Sequence, residues 1–383
     1  MTVLERARAV VESWNAELRR ELPEGAYLFD AHTHLGHDID GMVGSYDELM
    51  STLDQYGFGS AFLFCLDEHD REPAFTVPND RTLAHCDRSG GRLIPFVRLD
   101  LTARPLEEAR RCLALGARGI KLHPRAQAFA LNDERLQPVF ALAVERGVPI
   151  LIHGGRGLPP IAEDLETLVK RNEGVQLIVA HAGIADMAGL AGRLGGIPGV
   201  FFDTSVWSGL DLLDLYRQVA PEQVLYASDY PYGRQPNSLL VAVRTAKLAG
   251  FDDKQLRLLL GGSARRIVAG EELEPLSTPK GPMSLVQPLT FARIHQYISM
   301  AVPMLWLRQR DALGALGLAV NASRERSNGH PDESERIQEL LLTAQELWRA
   351  SAELEEDDER VATFRAAIQL VNLADMVALT TRA

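Results

Sequence analysis

The feature that most constrains the fold is an alternation of short apolar segments with longer helical patterns over roughly the first 235 residues. We predict strands at 26–34, 60–66, 92–100, 119–124, 149–155, 176–183, 199–205 and 224–231. Strands that alternate with helices pair in parallel through right-handed crossovers. Nearly continuous apolar strands are typical of sheets that are buried on both faces. Eight such units in about 240 residues predict an α/β fold, the closed (β/α)₈ TIM barrel.

Residues that can bind metals or move protons fall at the C-terminal ends of the predicted strands. They are His32 and His34 of the first strand, Lys121 and His123 of the fourth, His153 of the fifth, His181 of the sixth and Asp229 of the eighth. In this barrel the C-terminal strand ends meet at one rim, where active sites are built. Five of the ten histidines would therefore share that rim, which indicates a metal site.

The first of these strand ends has the sequence "FDAHTHLGHD" at 29–38. Side chains alternate between the two faces of a strand, so His32 and His34 point the same way. Two imidazoles on one face at the end of a strand can bind one metal ion. An isolated pair of this kind is more often a polar turn, so the metal interpretation depends on the other strand ends.

Six segments, in this order, resemble the amidohydrolase superfamily. They are "FDAHTHLG", "GIKLHP", "PILIHGG", "VAHAG", "FFDTS" and "LYASDYP". The chain is most similar to the amidohydrolase-related branch, which includes enzymes like aminocarboxymuconate-semialdehyde decarboxylase. The resemblance covers roughly 27 to 270. It implies a metal-dependent enzyme built on a TIM barrel.

The resemblance also implies which residues form the site. His32, His34, His153 and Asp229 would bind a divalent metal, Zn²⁺ before Mn²⁺, with one ion favoured over two. His181 would be catalytic, and Asp229 would both bind the metal and accept a proton from the bound water.

Lys121 and His123 share the inward face of the fourth predicted strand. In superfamily members with two metals, a lysine at this position is carboxylated and bridges the ions. The alternative is a lysine that binds an anionic group of the substrate. His123 would line the pocket or brace it by hydrogen bonding. Both residues are predicted to bind substrate.

Other candidates follow the strand ends. Arg98, Arg125 and Arg156 suit a carboxylate through bidentate contacts, or they form salt bridges within the rim. Trp207 is predicted to form, with Tyr232, an apolar wall of the substrate site, or the two pack loops. We expect Asp203 to brace the rim.

Three functions compete. The leading hypothesis is a metal-dependent hydrolase that acts on a small organic, carboxylate-bearing substrate through a metal-activated water. The alternative is a metal-dependent decarboxylase of a small unsaturated or aromatic acid, since the same residues serve both reactions. The third is a barrel without catalysis that serves as a binding module; the intact set of five ligand and catalytic residues weighs against it.

Composition limits the partners. A net charge of −12 argues against a nucleic-acid-binding face. Three widely spaced cysteines and a charged N-terminus without an export signal predict a reducing, cytoplasmic location. The apolar tract 297–320 is interrupted by charged residues, so we predict no membrane span. The expected partner is a small-molecule substrate.

We predict a barrel domain at 1–282, in which 1–25 form an amphipathic helix, and a helical region at 283–383. A segment rich in proline, serine and glycine, 274–283, reads as a linker. The predicted helices that follow have apolar stripes, for example Ile337, Leu340, Leu341, Ala344, Leu347, Trp348 and Leu354. These stripes pack within the chain or form a homodimer interface.

Overall fold

The computed structural model describes residues 2–206, 208–325, 329–355 and 357–382. Nine strands form one sheet: β1 (Leu28–His37), β2 (Val43–Gly44), β3 (Phe58–Cys65), β4 (Leu93–Arg98), β5 (Gly119–Leu122), β6 (Ile150–Ile152), β7 (Leu177–Val179), β8 (Val200–Asp203) and β9 (Val224–Leu225). The strand order is β2-β1-β3-β4-β5-β6-β7-β8-β9. Every neighbouring pair is parallel except β1 with β2.

The α-helices are α1 (Val3–Glu21), α2 (Tyr46–Tyr56), α3 (Thr76–Arg88), α4 (Pro105–Ala114), α5 (Leu136–Arg146), α6 (Ala162–Arg171), α7 (Met187–Leu194), α8 (Gly209–Gln218), α9 (Asn237–Leu248), α10 (Asp253–Arg257), α11 (Ser263–Ala269), α12 (Leu289–Trp306), α13 (Ala312–Ser323), α14 (Pro331–Ser351) and α15 (Asp357–Thr380). From β3 to β9, at least one helix lies between each strand and the next. This alternation is the one that the sequence predicts.

The segment that follows β9 runs beside β1 and closes the sheet. Thr33 forms a parallel bridge with Tyr230. His34 N donates to Tyr230 O at 2.7 Å, and Asp229 N donates to His32 O at 3.0 Å. The predicted TIM barrel is confirmed, and the closure places Asp229 beside the two histidines of β1.

Aromatic side chains from neighbouring strands fill the barrel interior. The ring centroids of Phe29 and Phe62 lie 4.7 Å apart, and those of Phe62 and Phe96 lie 4.4 Å apart. All three are at most 1% exposed, and burial of each contributes roughly 1.5–3 kcal/mol. Gly119 lies so close to Phe96 that a Cβ atom would come within 2.4 Å of the ring. The interior is therefore packed, and chemistry is confined to the rim.

Several strand ends differ from the sequence prediction. β6 ends at Ile152 and β7 at Val179, whereas the predictions extended to 155 and 183, and His181–Gly183 form a 3-10 helix. The regular part of the last strand, β9, ends at Leu225, whereas the prediction extended it to 231. Asp229 has φ 61°, a left-handed conformation that a strand cannot contain. β1 also continues past the rim and pairs with β2, a short antiparallel extension that the sequence pattern did not reveal.

The chain divides into two compact units. The barrel unit comprises Pro23–Ser238 and Ala246–Met283. The helical unit comprises Met1–Leu22, Leu239–Thr245 and Ser284–Ala383. Residues 274–283 contain no helix or strand, as predicted for this segment. The domain boundary after 282 stays a prediction.

The helical unit is built from α1, the Leu239–Thr245 part of α9, and α12–α15. The predicted stripe is buried along α14, including Ile337, Leu341 and Trp348. Leu354, which the prediction added to it, lies beyond the end of α14 and is half-buried. In the part of the chain that is described, one segment, Glu359–Thr380 of α15, has the length and apolar composition that a membrane span needs. It is 61% buried, which is also what the core helix of a helical unit shows.

Candidate metal centre and active site

A cavity of about 500 Å³ opens among the C-terminal strand ends of the barrel. Ten of the residues predicted for the site line it: His32, His34, Arg98, Lys121, His123, Arg125, His153, Arg156, His181 and Asp229. Tyr232 lines it as well. The prediction for Trp207 lies outside the described residues.

Three of the predicted metal ligands converge at the bottom of the cavity. His32 Nε2 and His34 Nε2 lie 3.1 Å apart, and each lies 3.3 Å from Asp229 Oδ1. Burial lowers the pKa of both imidazoles well below its usual range, so both rings are neutral. Two donors that share one ion at about 2.1 Å lie roughly 3.0–3.5 Å apart. The His32–His34–Asp229 cluster therefore fits a divalent metal.

The backbone holds Asp229 in a strained conformation. Its φ of 61° is uncommon for a residue with a side chain, and such strain is found where function fixes a side chain. The Asp229 N–H bond to His32 O keeps this conformation next to β1. Burial raises the pKa of the Asp229 carboxyl well above its usual range, and the nearby Lys121 opposes that shift.

His153, the fourth predicted ligand, is not among the cluster atoms that lie within 4.8 Å of one another. Its Nε2 is buried and has no hydrogen-bond partner among the described residues. Its ring stacks on His123, with centroids 3.8 Å apart, and meets the edge of His181 at 4.7 Å. A Cβ atom at Gly155 would come within 2.8 Å of His153 and His181, so glycine is required there.

His181 presents one nitrogen to the cavity. Its Nδ1 lies 2.8 Å from the carbonyl oxygen of Ser205, which can only accept a hydrogen bond. Nδ1 therefore carries the proton, and Nε2 keeps a free lone pair. The backbone of His181 has φ 58° and donates from its N–H to Asp203 Oδ1 at 2.8 Å.

Asp203 links His181 to the cluster. Its Oδ2 lies 2.7 Å from His32 Nδ1, and both side chains are 0% exposed. The expectation that Asp203 braces the rim matches these contacts. Ser205, which the sequence did not single out, bonds the same carboxylate through its hydroxyl at 2.5 Å. The only sequence signal was its position two residues after Asp203 in "FFDTS".

Lys121 is 1% exposed and lies beside the cluster. Its Nζ is 3.4 Å from His32 Nε2 and 4.6 Å from the centroid of the Phe64 ring. Burial lowers the pKa of Lys121 to about 7, although the charges of Asp203 and Asp229 oppose the shift. The side chain can thus serve as an ammonium or as a neutral amine near physiological pH.

Arg98 differs from the other two predicted arginines because its side chain is buried. It is 2% exposed, and neither Nε nor Nη2 has a hydrogen-bond partner among the described residues. The Asp67 carboxylate lies 3.9 Å from Nη2, too far for a hydrogen bond. Asn79 fixes the Arg98 backbone through two hydrogen bonds of 2.9 and 3.0 Å. Arg125 and Arg156 are exposed at the mouth of the cavity.

Four acidic residues that line the cavity were not predicted: Asp38, Asp40, Asp67 and Asp211. Asp38 and Asp40 follow β1 in the turn that leads to β2. Tyr232 OH donates to Asp40 Oδ2 at 3.2 Å, which fixes the tyrosine at the cavity wall. The sequence signal for this turn was the polar run directly after the two histidines of β1.

A TIM barrel with neutral imidazoles, a carboxylate and cationic side chains at its catalytic rim is a metal-dependent enzyme. A family model described as amidohydrolase matches residues 29–269. The chain belongs to the amidohydrolase family. No curated protein matches the chain in sequence.

Several solved structures resemble the chain. IDCase of Metarhizium anisopliae has 16% identity and a TM-score of 0.50, covering 65% of this chain and 98% of its own. A putative 2-pyrone-4,6-dicarboxylic acid hydrolase of Pseudomonas putida has 20% identity and a TM-score of 0.49, covering 65% and 99%. The 2,6-dihydroxybenzoate decarboxylase of Rhizobium has 15% identity and a TM-score of 0.48, covering 64% and 98%. At 16% identity the likeness to IDCase supports the barrel fold alone.

Proposed function

We propose that the protein is a metal-dependent hydrolase that acts on a small, carboxylate-bearing organic substrate through a metal-activated water. One observation carries the proposal. The His32–His34–Asp229 cluster shares its cavity with the buried guanidinium of Arg98, which lacks a hydrogen-bonded counter-ion among the described residues. The cluster suits a metal and its water, and the guanidinium suits the anionic end of a substrate.

The donor set favours a single Zn²⁺, with Mn²⁺ as the alternative. His32, His34, His153 and Asp229 would hold the ion through imidazole nitrogens and one carboxylate, which is a set that Zn²⁺ accepts. Such an ion lowers the pKa of its bound water and polarises the bond under attack. We propose one ion rather than two, because the described residues form one cluster of potential ligands, His32, His34 and Asp229.

The chain's own residues then move the proton. Asp229 lies 3.3 Å from both cluster nitrogens and would accept the proton of the attacking water. His181 offers the free lone pair of Nε2, so it would take up from Asp229 the proton that the water gave and pass it to the leaving group. Burial lowers the pKa of His181, which keeps the ring neutral and ready to accept.

Buried Arg98 is the reason why we propose a carboxylate on the substrate. A guanidinium does not give up its proton in proteins, so it stays charged when it is buried. The nearest carboxylate, that of Asp67, lies 3.9 Å from Arg98 Nη2 and forms no hydrogen bond with it. Burying a charge costs several kcal/mol, and a substrate carboxylate would offset part of that cost through bidentate hydrogen bonds. Arg125 and Arg156, exposed at the mouth, would attract the anion before it enters.

The test uses a panel of esters, lactones and amides, each with and without a carboxylate, assayed for acid production and for carbon dioxide release. We expect metal-dependent acid production from carboxylate-bearing members. Arg98→Met should raise KM for those members at least tenfold, the scale of a lost charged hydrogen bond. Arg146→Met, a change at an exposed arginine on α5, is the matched control.

Carbon dioxide release without acid production would replace the proposal by the decarboxylase alternative. Equal KM values for charged and uncharged members, with Arg98→Met indistinguishable from Arg146→Met, would remove the carboxylate assignment. The cytoplasmic location and the homodimer stay predictions from the sequence.

A further inference from the structure

We infer that Asp203 is a positioning residue that prepares two histidines at once: one carboxylate oxygen selects the ring tautomer of His32, and the other holds His181 in place. The consequence for metal binding rests on the proposed function. The tautomer itself can be measured whether or not the proposed function holds.

The Oδ2 atom of Asp203 selects the ring tautomer of His32. It lies 2.7 Å from His32 Nδ1, in a location that is fully buried for both side chains. An ionised carboxylate can only accept a hydrogen bond, so Nδ1 must carry the ring proton. The proton is thereby kept away from Nε2. That nitrogen faces His34 and Asp229, where a lone pair is needed for a metal.

The Oδ1 atom of Asp203 accepts three hydrogen bonds. The donors are His181 N at 2.8 Å, Ser205 N at 3.0 Å and Ser205 Oγ at 2.5 Å. The bond from His181 N holds a residue whose φ is 58°, a conformation that costs energy for a side chain with a Cβ atom. The two bonds from Ser205 hold the carbonyl that fixes the proton on His181 Nδ1.

The two oxygens therefore make the carboxylate irreplaceable by its amide. In Asp203→Asn the single carbonyl oxygen can serve one side only. Three donors compete for it at the Oδ1 position, so the amide N–H would face His32 Nδ1. A donor there requires Nδ1 to accept, which moves the ring proton to Nε2 and opposes metal binding.

Two other carboxylates of the barrel unit, the buried Asp30 and the half-buried Asp186, bond backbone and lack this double role. Asp30 accepts from the backbone N–H groups of His32 and Ser228, at 3.2 and 2.9 Å, and so supports the chain rather than a ring. Asp186 accepts from two backbone N–H groups, those of Ile161 and Ala162, at 3.0 and 2.9 Å. Asp186→Asn is therefore a matched control, because it removes a carboxylate that bonds backbone only.

The experiment has two readouts on the full-length chain. Zinc affinity is measured by chelator competition for wild type, Asp203→Asn and Asp186→Asn. Long-range ¹⁵N–¹H spectra of histidine-labelled protein, zinc-loaded and zinc-stripped, report which ring nitrogen carries the proton. His32→Gln assigns the His32 signals.

We expect the His32 proton on Nδ1 in wild type, and on Nε2 in zinc-stripped Asp203→Asn. Zinc affinity should fall about 10- to 100-fold in Asp203→Asn, the range for losing the carboxylate behind a metal-binding histidine. It should stay within about threefold of wild type in Asp186→Asn.

The inference is overturned if wild-type His32 carries its proton on Nε2, or if Asp203→Asn keeps both the tautomer and the affinity. An equal loss of affinity in Asp186→Asn would also overturn it, because the effect would then be general to the rim. If Asp203→Asn does not fold, the wild-type spectrum decides. A wild type that binds no zinc but has its proton on Nδ1 would sink the proposed function and leave the tautomer assignment standing.

Discussion

The barrel unit and the helical unit bury different kinds of polar side chain. The buried ionisable residues of the barrel unit include Asp30, His32, His34, Asp67, Glu68, Arg98, Glu108, Lys121, Asp203, Glu222 and Asp229. Among the described residues of the helical unit, the buried polar side chains carry only hydroxyls or amides, as in Asn15, Thr290, Thr343 and Gln345. Burying a charge costs far more than burying a hydroxyl. The chain thus accepts that cost in one unit, and there mostly around the cavity.

The two units also differ in how the buried polar atoms are satisfied. In the helical unit, hydroxyls bond carbonyls of their own helix: Ser323 Oγ to Val320 O at 2.8 Å and Thr381 Oγ1 to Val377 O at 2.7 Å. At the barrel rim, Arg98 Nη2 and His153 Nε2 lack such partners among the described residues. Buried atoms without a hydrogen-bond partner also occur away from the rim, as at Asn15 Oδ1 in the helical unit, but those of His34, Asp67, Arg98 and His153 belong to residues that line one cavity. Unsatisfied buried groups are costly, so this group indicates where a ligand would bind.

The largest expected effect is at Asp229. Asp229→Asn removes the negative ligand of the cluster and the proposed proton acceptor, so turnover should fall by about three orders of magnitude or more. Metal affinity should fall with it. Metal-stripped Asp229→Asn should unfold at a temperature no lower than metal-stripped wild type, because burial raises the pKa of the Asp229 carboxyl and the amide avoids the cost of ionising it there. Turnover and calorimetry on the same samples check both parts. Normal turnover in this variant would remove Asp229 from the chemistry.

A core substitution in the helical unit should lower stability and leave metal binding unchanged. Phe291 on α12 is 0% exposed, so Phe291→Ala should cost about 3–5 kcal/mol of unfolding free energy through the cavity it leaves. Metal content per folded chain should not change. Leu289→Ala, on the same helix at 78% exposure, is the control and should cost under about 0.5 kcal/mol. Loss of metal in folded Phe291→Ala would show that metal binding also depends on the core of the helical unit.

The next prediction distinguishes a metal ligand, His153, from a catalytic residue, His181. His153→Ala should lose both metal and activity, because a proposed ligand is gone. His181→Ala should keep most of its metal while turnover falls by about two orders of magnitude or more, the range for a positioned acid–base group. Metal content and turnover are measured together on each variant. If His181→Ala loses metal as completely as His153→Ala, then His181 is a ligand and the proposed roles are wrong.

The smallest effect concerns a partly exposed pair in the helical unit. His295 Nδ1 lies 2.7 Å from Asp375 Oδ1. Burial opposes protonation of His295, but the hydrogen bond and charge of Asp375 outweigh it, so the net shift raises the pKa. A raised histidine pKa adds stability that is fully present below about pH 6.5, the unfolded value, and is lost as pH rises through the folded pKa.

Asp375→Asn should therefore reduce the unfolding free energy by about 1 kcal/mol near pH 5.5 and by much less near pH 9. Denaturant unfolding at the two pH values measures the difference. Glu339→Gln, at an exposed position on α14, is the control for loss of a carboxylate in the same unit. A loss that is equal at both pH values would mean that the pair contributes no proton-linked stability.

The rim residues could be predicted from the sequence by one rule. Polar residues at the C-terminal ends of parallel strands lie close together in the barrel, even when they are distant in the chain. His32, Lys121, His153 and Asp229 lie far apart in the chain, yet all line the same cavity. The rule needs periodicity and strand order only, and both are visible in the residues. The helical stripe of α14 was predictable for the same reason.

What the sequence did not reveal depends on irregular backbone and on side-chain packing. The left-handed conformations of His181 and Asp229 have no local signal, since neither residue is a glycine. The double contact of Asp203 depends on the turn that brings Ser205 back towards His181. Arg98 is buried, in contrast to exposed Arg125: Asn79 on α3 bonds its backbone across 19 positions, and the centroid of the Phe75 ring lies 4.7 Å from its guanidinium. Periodicity cannot predict such contacts.

The central claim is that the buried charge of the barrel rim exists to hold a metal, and metal analysis tests it most directly. Full-length wild type, purified without chelator and then incubated with Zn²⁺ or Mn²⁺, is compared with His34→Ala and with Phe291→Ala. The account predicts close to one tightly bound ion per chain in wild type and in Phe291→Ala, and almost none in His34→Ala. Wild type that takes up no ion, or His34→Ala that keeps a full complement, would contradict it.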